Sequence, residues 1–154
     1  MLFRSLLAPV GMMAGAAPSA SQQNDVETAL KVTAQLGLLD VGQGAVVCDG
    51  LVLAVEAQEG TDRMLARVAD LSPDIRGTPA KRRGVLVKRA KPQQERRVDL
   101  PTIGLRTIEG AAKAGLIGVV VEAGGALIID KLNVIAACQE AGMFLMGVEV
   151  TPSL

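Results

Sequence analysis

Apolar residues spaced three and four positions apart recur along this chain, and that spacing predicts amphipathic helices. Asn24 or Asp25 can cap the first helix, which Gly37 ends. Its expected buried face consists of Val26, Ala29, Leu30, Thr33 and Leu36. Thr61 can cap a second helix. The expected buried face of this second helix consists of Met64, Leu65, Val68 and Leu71.

Two further helices are predicted later in the chain, each followed by a glycine and an apolar run. One spans Thr107 to Ala114, and the other begins at a cap formed by Asp130 and ends at Ala141. The segments around these two helix ends are "AAKAGLIGVVVE" and "CQEAGMFLMGVE". Both contain a helix end, an Ala-Gly pair and a strand that ends in glutamate, which indicates a weak internal repeat.

Uninterrupted apolar runs between the helices predict buried strands. The segment "LLDVGQGAVVCDGLVLAVEA" divides into two strands at Asp49-Gly50, a pair that tolerates the positive φ angles of a tight hairpin turn. The later strands are "GVLVK", which ends in Lys88, "LIGVVVE", "ALII" and "MFLMGVEV". Solid apolar strands connected through helices are typical of sheets covered on both faces. We therefore predict an α/β fold: a single domain with a mixed, largely parallel sheet covered by helices.

Composition narrows the chemistry that this domain can perform. The chain has 154 residues, enough for one domain with a substantial core, and it contains no histidine. Ser/His/Asp relays, Cys/His relays and imidazole zinc sites are therefore excluded. The 16 basic residues balance 16 acidic residues, so any positive field is local. Cys48 and Cys138 belong to no CxxC motif, which fits a reducing cytosol, and we expect both to be small core residues.

The N-terminal residues imitate a secretory signal, because a basic residue, an apolar run and small residues follow one another. Pro9, Gly11 and Gly15 interrupt that run, and Arg4 lies inside it. We therefore interpret residues 1–23 as a linker or N-terminal extension, with a signal or transit peptide as the alternative. No stretch reaches the roughly 18 uninterrupted apolar residues of a membrane span.

Polar residues gather at or just beyond the predicted strand ends, which is where α/β sheets bind ligands. They are Asp40, Gln43, Glu56, Glu59, Thr61, Asp62, Lys88, Lys91, Arg97, Asp99, Thr102 and Glu122. This mixture of acids and bases suits an anion bound together with a hard divalent cation such as Mg²⁺. The "EGTD" segment adds a predicted helix N-terminus, which favours phosphate. The alternatives are a capping motif with solvated acids for "EGTD", a solvated face for Lys81 to Arg97, and a turn or cap role for Asp99.

Four blocks of the sequence together resemble the catalytic C-terminal domain of the UDP-2,3-diacylglucosamine pyrophosphohydrolases of the LpxI type, enzymes of lipid A synthesis in Gram-negative bacteria. The blocks are "LDVGQGAVV", "VEAQEGTDRMLAR", "GVLVKRAKPQQERRVDLPTIGLRT" and "GLIGVVVEAGGALII". The resemblance runs from about Leu38 to Gly147. One departure is "KPQQE", where the family typically has KPGQD or KPNQD, so Gln93 replaces a small residue and Glu95 a shorter acid.

The resemblance implies hydrolysis of UDP-2,3-diacylglucosamine with Mg²⁺ to UMP and 2,3-diacylglucosamine 1-phosphate. It implies that the aspartate of "DLPTIG", Asp99, is essential for catalysis. The matched candidates for substrate binding are Gln43, Thr61, Lys88, Lys91, Gln94, Arg97 and Thr102. The matched candidates for holding Mg²⁺ are Asp99, Glu59, Asp62, Asp40 and Glu122.

The resemblance also implies an organisation into domains. Residues 24–154 correspond to the catalytic domain, and the family's preceding Rossmann-like domain is absent from this sequence and becomes an expected partner. We expect a cytoplasmic homo-oligomer that does not bind nucleic acid, and peripheral contact with the inner membrane is compatible with this interpretation.

Two other functions stay open. The basic stretch from Lys81 to Arg97 could serve an anion-binding module for RNA or membrane surfaces, whose binding would fall steeply with salt and would not depend on Asp99. The absence of tryptophan and tyrosine, with no phenylalanine near that stretch, argues against single-stranded nucleic acid. The chain could also be a catalytically silent fragment that folds without its partner domain.

Overall fold

A computed structural model describes residues 5–92 and 100–150 of the chain. The helices are α1 (Ala20–Leu38), α2 (Thr61–Ala69), α3 (Leu105–Lys113) and α4 (Lys131–Ala141). The strands are β1 (Gly11–Ala14), β2 (Gly44–Cys48), β3 (Leu51–Val55), β4 (Val85–Lys88), β5 (Thr102–Ile103), β6 (Gly118–Glu122), β7 (Leu127–Ile128) and β8 (Phe144–Val148). This order of elements confirms the predicted single α/β domain.

Six strands form one mixed sheet in the order β1-β8-β6-β4-β2-β3. Only the central strands β4, β6 and β8 pair in parallel. The pairs β1–β8, β2–β4 and β2–β3 are antiparallel, so the expectation of a largely parallel sheet holds only for the centre. The predicted strand "ALII" is not part of this sheet, because β7 pairs with β5 in a separate two-stranded parallel sheet.

Helices cover both faces of the sheet, as predicted. On one face Val26 and Ala29 of α1 pack with Val85 and Val87 of β4. On the other face Leu86 belongs to a larger apolar cluster to which α2, α3 and α4 contribute. Successive β4 residues are therefore buried against opposite layers, which explains why this strand reads as a continuous apolar run.

The segment predicted as a linker, residues 1–23, contributes to the fold. Strand β1 lies within it and pairs with β8 at one edge of the sheet. Helix α1 begins at Ala20, with Ser19 and Gln22 forming a capping box, so a domain boundary between residues 23 and 24 falls inside the helix. A four-residue edge strand with mixed burial carries too little periodicity to be found from sequence.

Asp25 is buried and does not cap α1, contrary to the prediction. Its carboxylate accepts hydrogen bonds from the backbone N–H groups of Asp49 (2.9 Å) and Gly50 (2.8 Å). The predicted hairpin turn is confirmed, with φ of 48° at Asp49 and 82° at Gly50. Asp25 therefore ties α1 to the turn between β2 and β3.

The other predicted helix caps are partly corrected. Gly60 is the N-cap of α2 and Thr61 is its first residue, while Leu71 lies beyond the end of the helix. Asp130 stands at the N-cap of α4 but forms no capping hydrogen bond to the backbone. Its Oδ2 instead accepts a hydrogen bond of 2.8 Å from Asn133 Nδ2.

Both cysteines are buried core residues, as expected. Burial raises the pKa of the Cys48 thiol and of the Cys138 thiol to about 11 each. Both side chains are therefore neutral thiols at neutral pH. Separately, no helix in the described ranges is long and apolar enough to cross a lipid bilayer.

Candidate active site

Several of the predicted strand-end residues meet at one edge of the main sheet. Strands β3 and β4 both run antiparallel to β2, so their carboxyl ends lie at the same edge as the amino end of β2. Gly44 of β2 is the register partner of Lys88, and its carbonyl accepts a hydrogen bond of 2.9 Å from the backbone N–H of Glu56. The last residue of β4 and the residue after β3 therefore lie on either side of Gly44.

Two glycines of the "GQG" segment permit this close approach. A Cβ atom on Gly42 would lie 2.0 Å from the main-chain oxygen of Glu56, which is a backbone clash. A Cβ atom on Gly44 would lie 3.3 Å from Cδ of Lys88, so its absence leaves room for the lysine stem. The segment thus serves close packing of chain and side chain at the sheet edge.

A buried polar cluster lies at this edge. Nζ of Lys88 is 3.1 Å from Oε2 of Glu56 and 2.6 Å from Oγ1 of Thr61. The Thr61 hydroxyl also donates a hydrogen bond to Oε2 of Glu56. The backbone N–H of Gln43 donates to the other carboxylate oxygen, Oε1, at 3.2 Å. The side chains of Lys88 and Glu56 are only 6% and 8% exposed, so this is a buried ion pair in which both charges have partners.

The cluster forms the floor of an open cleft of about 320 Å³. The cleft is lined by Val41, Gly42, Gln43, Glu56, Ala57, Gln58, Gly60, Thr61, Lys88 and Lys91. Lys91 reaches Asp40 at the rim, with 2.7 Å between Nζ and Oδ1. Gly60, the N-cap of α2, provides no side-chain capping bond, so no N-cap side chain occupies the first N–H groups of the helix. A helix N-terminus and two lysines make this cleft suited to an anion.

Four of the predicted site residues line this cleft: Gln43, Thr61, Lys88 and Lys91. Asp40 lies beside it through its contact with Lys91. Glu122 is the buried last residue of β6, the strand next to β4. Residues 120 and 122 share one side of β6, and Val120 packs in the α1 layer, so Glu122 is on the opposite face of the sheet from Lys88.

The remaining predicted residues in the described ranges do not line the cleft. Both carboxylate oxygens of Glu59 accept bonds from the guanidinium of Arg67, at 2.8 and 2.5 Å. These bonds lower the pKa of Glu59. Oδ2 of Asp62 lies 3.6 Å from Nη2 of Arg106. Asp62 lines a different groove, of about 380 Å³, between α2 and α3. Thr102 is an exposed residue of β5.

Within residues 5–92 and 100–150, no group of three or more carboxylate or cysteine side chains could hold a metal ion. The predicted metal ligands Asp40, Glu59, Asp62 and Glu122 are therefore not brought together there. Three predicted residues, Gln94, Arg97 and Asp99, lie outside the described ranges, so their roles stay predictions.

Sequence reasoning placed Glu56 at a strand end but assigned it no role. The structure makes it the centre of the polar cluster. The available signal was its position directly after an apolar strand and five residues before Thr61, at the start of a helix. That signal does not reveal that β2 brings Lys88 alongside, because the pairing joins residues 32 positions apart.

Two arginines at the start of the basic stretch, Arg82 and Arg83, bind other parts of the fold. The guanidinium of Arg82 donates to the backbone carbonyls of Ala141 (2.7 Å) and Ala112 (2.9 Å), near the ends of α4 and α3. Arg83 binds Oδ2 of Asp49 at 2.6 Å and the carbonyl of Arg76 at 2.6 Å. Arg82 and Arg83 therefore bind the fold itself, and within the described part of the stretch Lys88 and Lys91 line the cleft.

An α/β sheet with a cationic cleft at its strand ends is typical of a phosphate-binding enzyme domain. The sequence profile described as the LpxI C-terminal domain matches residues 9–146, and the chain belongs to this family. The chain is also 56% identical over 141 residues to the UDP-2,3-diacylglucosamine pyrophosphatase LpxI of Caulobacter vibrioides. That alignment covers 92% of this chain and 50% of the relative, so the chain spans about half the length of the curated relative it matches.

Proposed function

We propose that this chain is the catalytic domain of a pyrophosphatase of lipid A biosynthesis, which cleaves UDP-2,3-diacylglucosamine to UMP and 2,3-diacylglucosamine 1-phosphate. The observation that carries the proposal is the 56% identity to a UDP-2,3-diacylglucosamine pyrophosphatase over 92% of the chain. An alignment of that length includes the segments that build the cleft. The cleft chemistry is consistent with a diphosphate substrate, because it combines lysines with a helix N-terminus.

The cleft would act mainly by binding and orienting the diphosphate. Lys88 is fixed by Glu56 and Thr61, so its position does not have to be organised when substrate enters. Lys91, which is paired with Asp40 at the rim, would add a second positive group toward the phosphate oxygens. Prepositioned positive groups stabilise the charge that develops on phosphoryl oxygens during hydrolysis, and one such donor is worth on the order of 3 kcal/mol.

We further propose that Mg²⁺ is the cofactor and that Asp99 is the essential catalytic carboxylate, both as the family resemblance implies. Mg²⁺ is usually held by one or two carboxylates together with substrate phosphates, so the proposal needs few protein ligands. Both oxygens of Glu56 are already occupied, so Asp99 and the substrate diphosphate would hold the ion. Bound there, Mg²⁺ would neutralise negative charge on the phosphoryl oxygens.

The partners and location follow from the same proposal. A second domain would complete the substrate site, since the chain corresponds to about half of its relative. Cytoplasmic location, homo-oligomer formation and peripheral contact with the inner membrane belong to the proposal as well. A nucleic-acid function is not favoured, because Arg82 and Arg83 are engaged with backbone carbonyls of the fold.

UMP release tests the proposal. The purified chain is incubated with UDP-2,3-diacylglucosamine and Mg²⁺, alone and with the N-terminal half of the Caulobacter relative added in trans. We expect UMP in at least the second mixture, no UMP after Mg²⁺ is chelated, and none from Asp99→Asn. Asp49→Asn is the matched control, because it changes an aspartate at the opposite edge of the sheet. Absence of UMP from both mixtures would contradict the proposal.

A further inference from the structure

Glu56 places a negative charge at the floor of a cleft that is suited to anions. Such an arrangement is unfavourable for anion binding unless the carboxylate has another role. Its side chain is 8% exposed, and its two oxygens accept from Thr61 Oγ1, Lys88 Nζ and the backbone N–H of Gln43. A carboxylate cannot donate a hydrogen bond to phosphate, and its charge repels one. Glu56 therefore opposes anion binding unless it does something else for the cleft.

We propose that Glu56 is a positioning residue: it holds the ammonium group of Lys88 and the hydroxyl group of Thr61 in fixed positions at the floor of the cleft and does not itself bind substrate or metal. This inference rests on the proposed pyrophosphatase function. It concerns a residue to which the family resemblance assigns no role.

The hydrogen-bond inventory supports a positioning role. A threonine hydroxyl has one proton and two lone pairs. The proton of Thr61 is donated to Glu56, and one lone pair accepts from Lys88 at 2.6 Å. The orientation of this hydroxyl is thus fixed by the other two side chains, and only an acceptor site is left toward the cleft. The three groups form one unit that Glu56 joins together.

A lysine side chain is flexible, so Lys88 needs a partner such as Glu56 to hold its ammonium group in one position. A lysine ammonium is a hydrated point charge on a flexible stem of four carbons, and many rotamers are open to it. Lys88 is the last residue of its strand and its side chain is only 6% exposed, so the ion pair selects one buried rotamer. Displacement of a catalytic group by about 1 Å can lower a rate on the order of 100-fold.

Glu56→Gln separates two effects of Glu56: its positioning of Lys88 and Thr61, which affects turnover, and its negative charge, which affects the binding of anions. The amide keeps the shape but removes one negative charge from the cleft. Inorganic pyrophosphate should therefore bind as tightly as to wild type, or up to about tenfold more tightly. The kcat should nevertheless fall roughly 10- to 100-fold, because Lys88 and Thr61 lose their fixed geometry. A change that merely damaged the fold would weaken binding and turnover together.

The experiment measures three quantities on the full chain with its added N-terminal half: kcat and KM for UDP-2,3-diacylglucosamine, the Mg²⁺ concentration at half-maximal rate, and the calorimetric Kd for pyrophosphate. The variants are Glu56→Gln, Lys88→Met and the double substitution, with Asp49→Asn as the matched control for loss of an ion-paired carboxylate. The ammonium group that Glu56 holds is absent from Lys88→Met, so in that background Glu56→Gln acts through Thr61 alone and should change kcat less than about twofold.

Distinct outcomes overturn the inference. An unchanged kcat in Glu56→Gln would show that no positioning is needed. A Mg²⁺ requirement raised tenfold or more would make Glu56 a metal ligand, and weaker pyrophosphate binding would make it part of the binding surface. If wild type releases no UMP, the proposed function fails, and pyrophosphate binding still tests this inference: equal or tighter binding by Glu56→Gln supports it, and weaker binding overturns it.

Discussion

The two ends of β4 carry positive charge from the same basic stretch, yet their partners differ. At the amino end, Arg82 and Arg83 donate to main-chain carbonyls of α3, α4 and the loop after α2, and Arg83 also binds the Asp49 carboxylate in the turn after β2. At the carboxyl end, the ammonium groups of Lys88 and Lys91 meet carboxylates around a cleft. The first end holds layers of the fold together, and the second forms the candidate site.

The difference follows from the side chains. A planar guanidinium has five N–H donors in a fixed arrangement, so a single Arg82 can bridge carbonyls of two helices. A lysine offers a compact charge on a flexible stem, which suits phosphate when something holds it in place. In this domain, residue type and strand end separate the charges that hold the fold from those of the candidate site better than the density of positive residues does.

Lys88→Met should have the largest effect, because it leaves the Glu56 carboxylate buried without its counter-ion. Removal of one partner of a buried ion pair lowers the free energy of unfolding by roughly 3 to 5 kcal/mol. Turnover should fall by more than about 100-fold through loss of a fixed positive group. Urea unfolding followed by far-UV circular dichroism gives the stability, and UMP release gives the rate.

The matching control is the Lys88→Met, Glu56→Gln double variant, which removes both charges. It should recover much of the lost stability and none of the lost activity. Equal stability of Lys88→Met and wild type would contradict the buried ion pair.

Arg82→Met tests the structural end of β4 and should have the next largest effect. It removes the donors to the carbonyls of Ala141 and Ala112 while keeping an apolar stem of similar length. Because the carbonyl of Ala141 loses the Arg82 donor while that of Ala112 keeps a bond from the backbone N–H of Gly115, the free energy of unfolding should fall by about 2 kcal/mol. The kcat measured well below the unfolding temperature should match wild type. A loss of kcat with unchanged stability would reverse the assignment of the two ends.

Sequence patterns predicted those features that depend on neighbouring residues. The Asp49-Gly50 turn followed from the need for positive φ angles, and the buried strand ending at Lys88 followed from an apolar run. The rule that ligands bind where strands end selected twelve residues, and Gln43, Thr61, Lys88 and Lys91 are among those that line the cleft. Local chemistry and one topological rule were sufficient for these.

Features set by long-range pairing could not be predicted in this way. Placing β2 between β3 and β4 aligns Glu56 with Lys88, and no local pattern encodes that strand order. The same limit applies to Arg82, whose carbonyl partner on Ala141 is 59 residues away. Edge strand β1 and the separate pairing of β7 with β5 also depend on tertiary packing that overrides weak local signals.

Asp25→Asn probes the turn near the amino end of β4 and should have a moderate effect. The carboxylate accepts from the N–H groups of Asp49 and Gly50, and an amide can satisfy only one of them with its oxygen. We expect the free energy of unfolding to fall by about 1 to 2 kcal/mol. Asn24→Ala is the matched control, since the structure places the cap at Ser19, and it should leave stability unchanged. An equal loss of stability in both variants would support the predicted helix cap at Asn24 or Asp25.

The smallest effect is expected at the ion pair between Glu59 and Arg67, which lies at the surface beside the candidate site. Hydrogen bonds from Arg67 lower the pKa of Glu59 in the folded state, so the pair stabilises the fold at pH values above the ordinary carboxyl range. That stabilisation is lost as pH falls through the lowered pKa. Because the pair is exposed and screened by solvent, Glu59→Gln should shift the urea midpoint at neutral pH only slightly. Urea titrations of wild type and Glu59→Gln from neutral to acidic pH should converge, whereas a gap that widens at low pH would contradict the pairing.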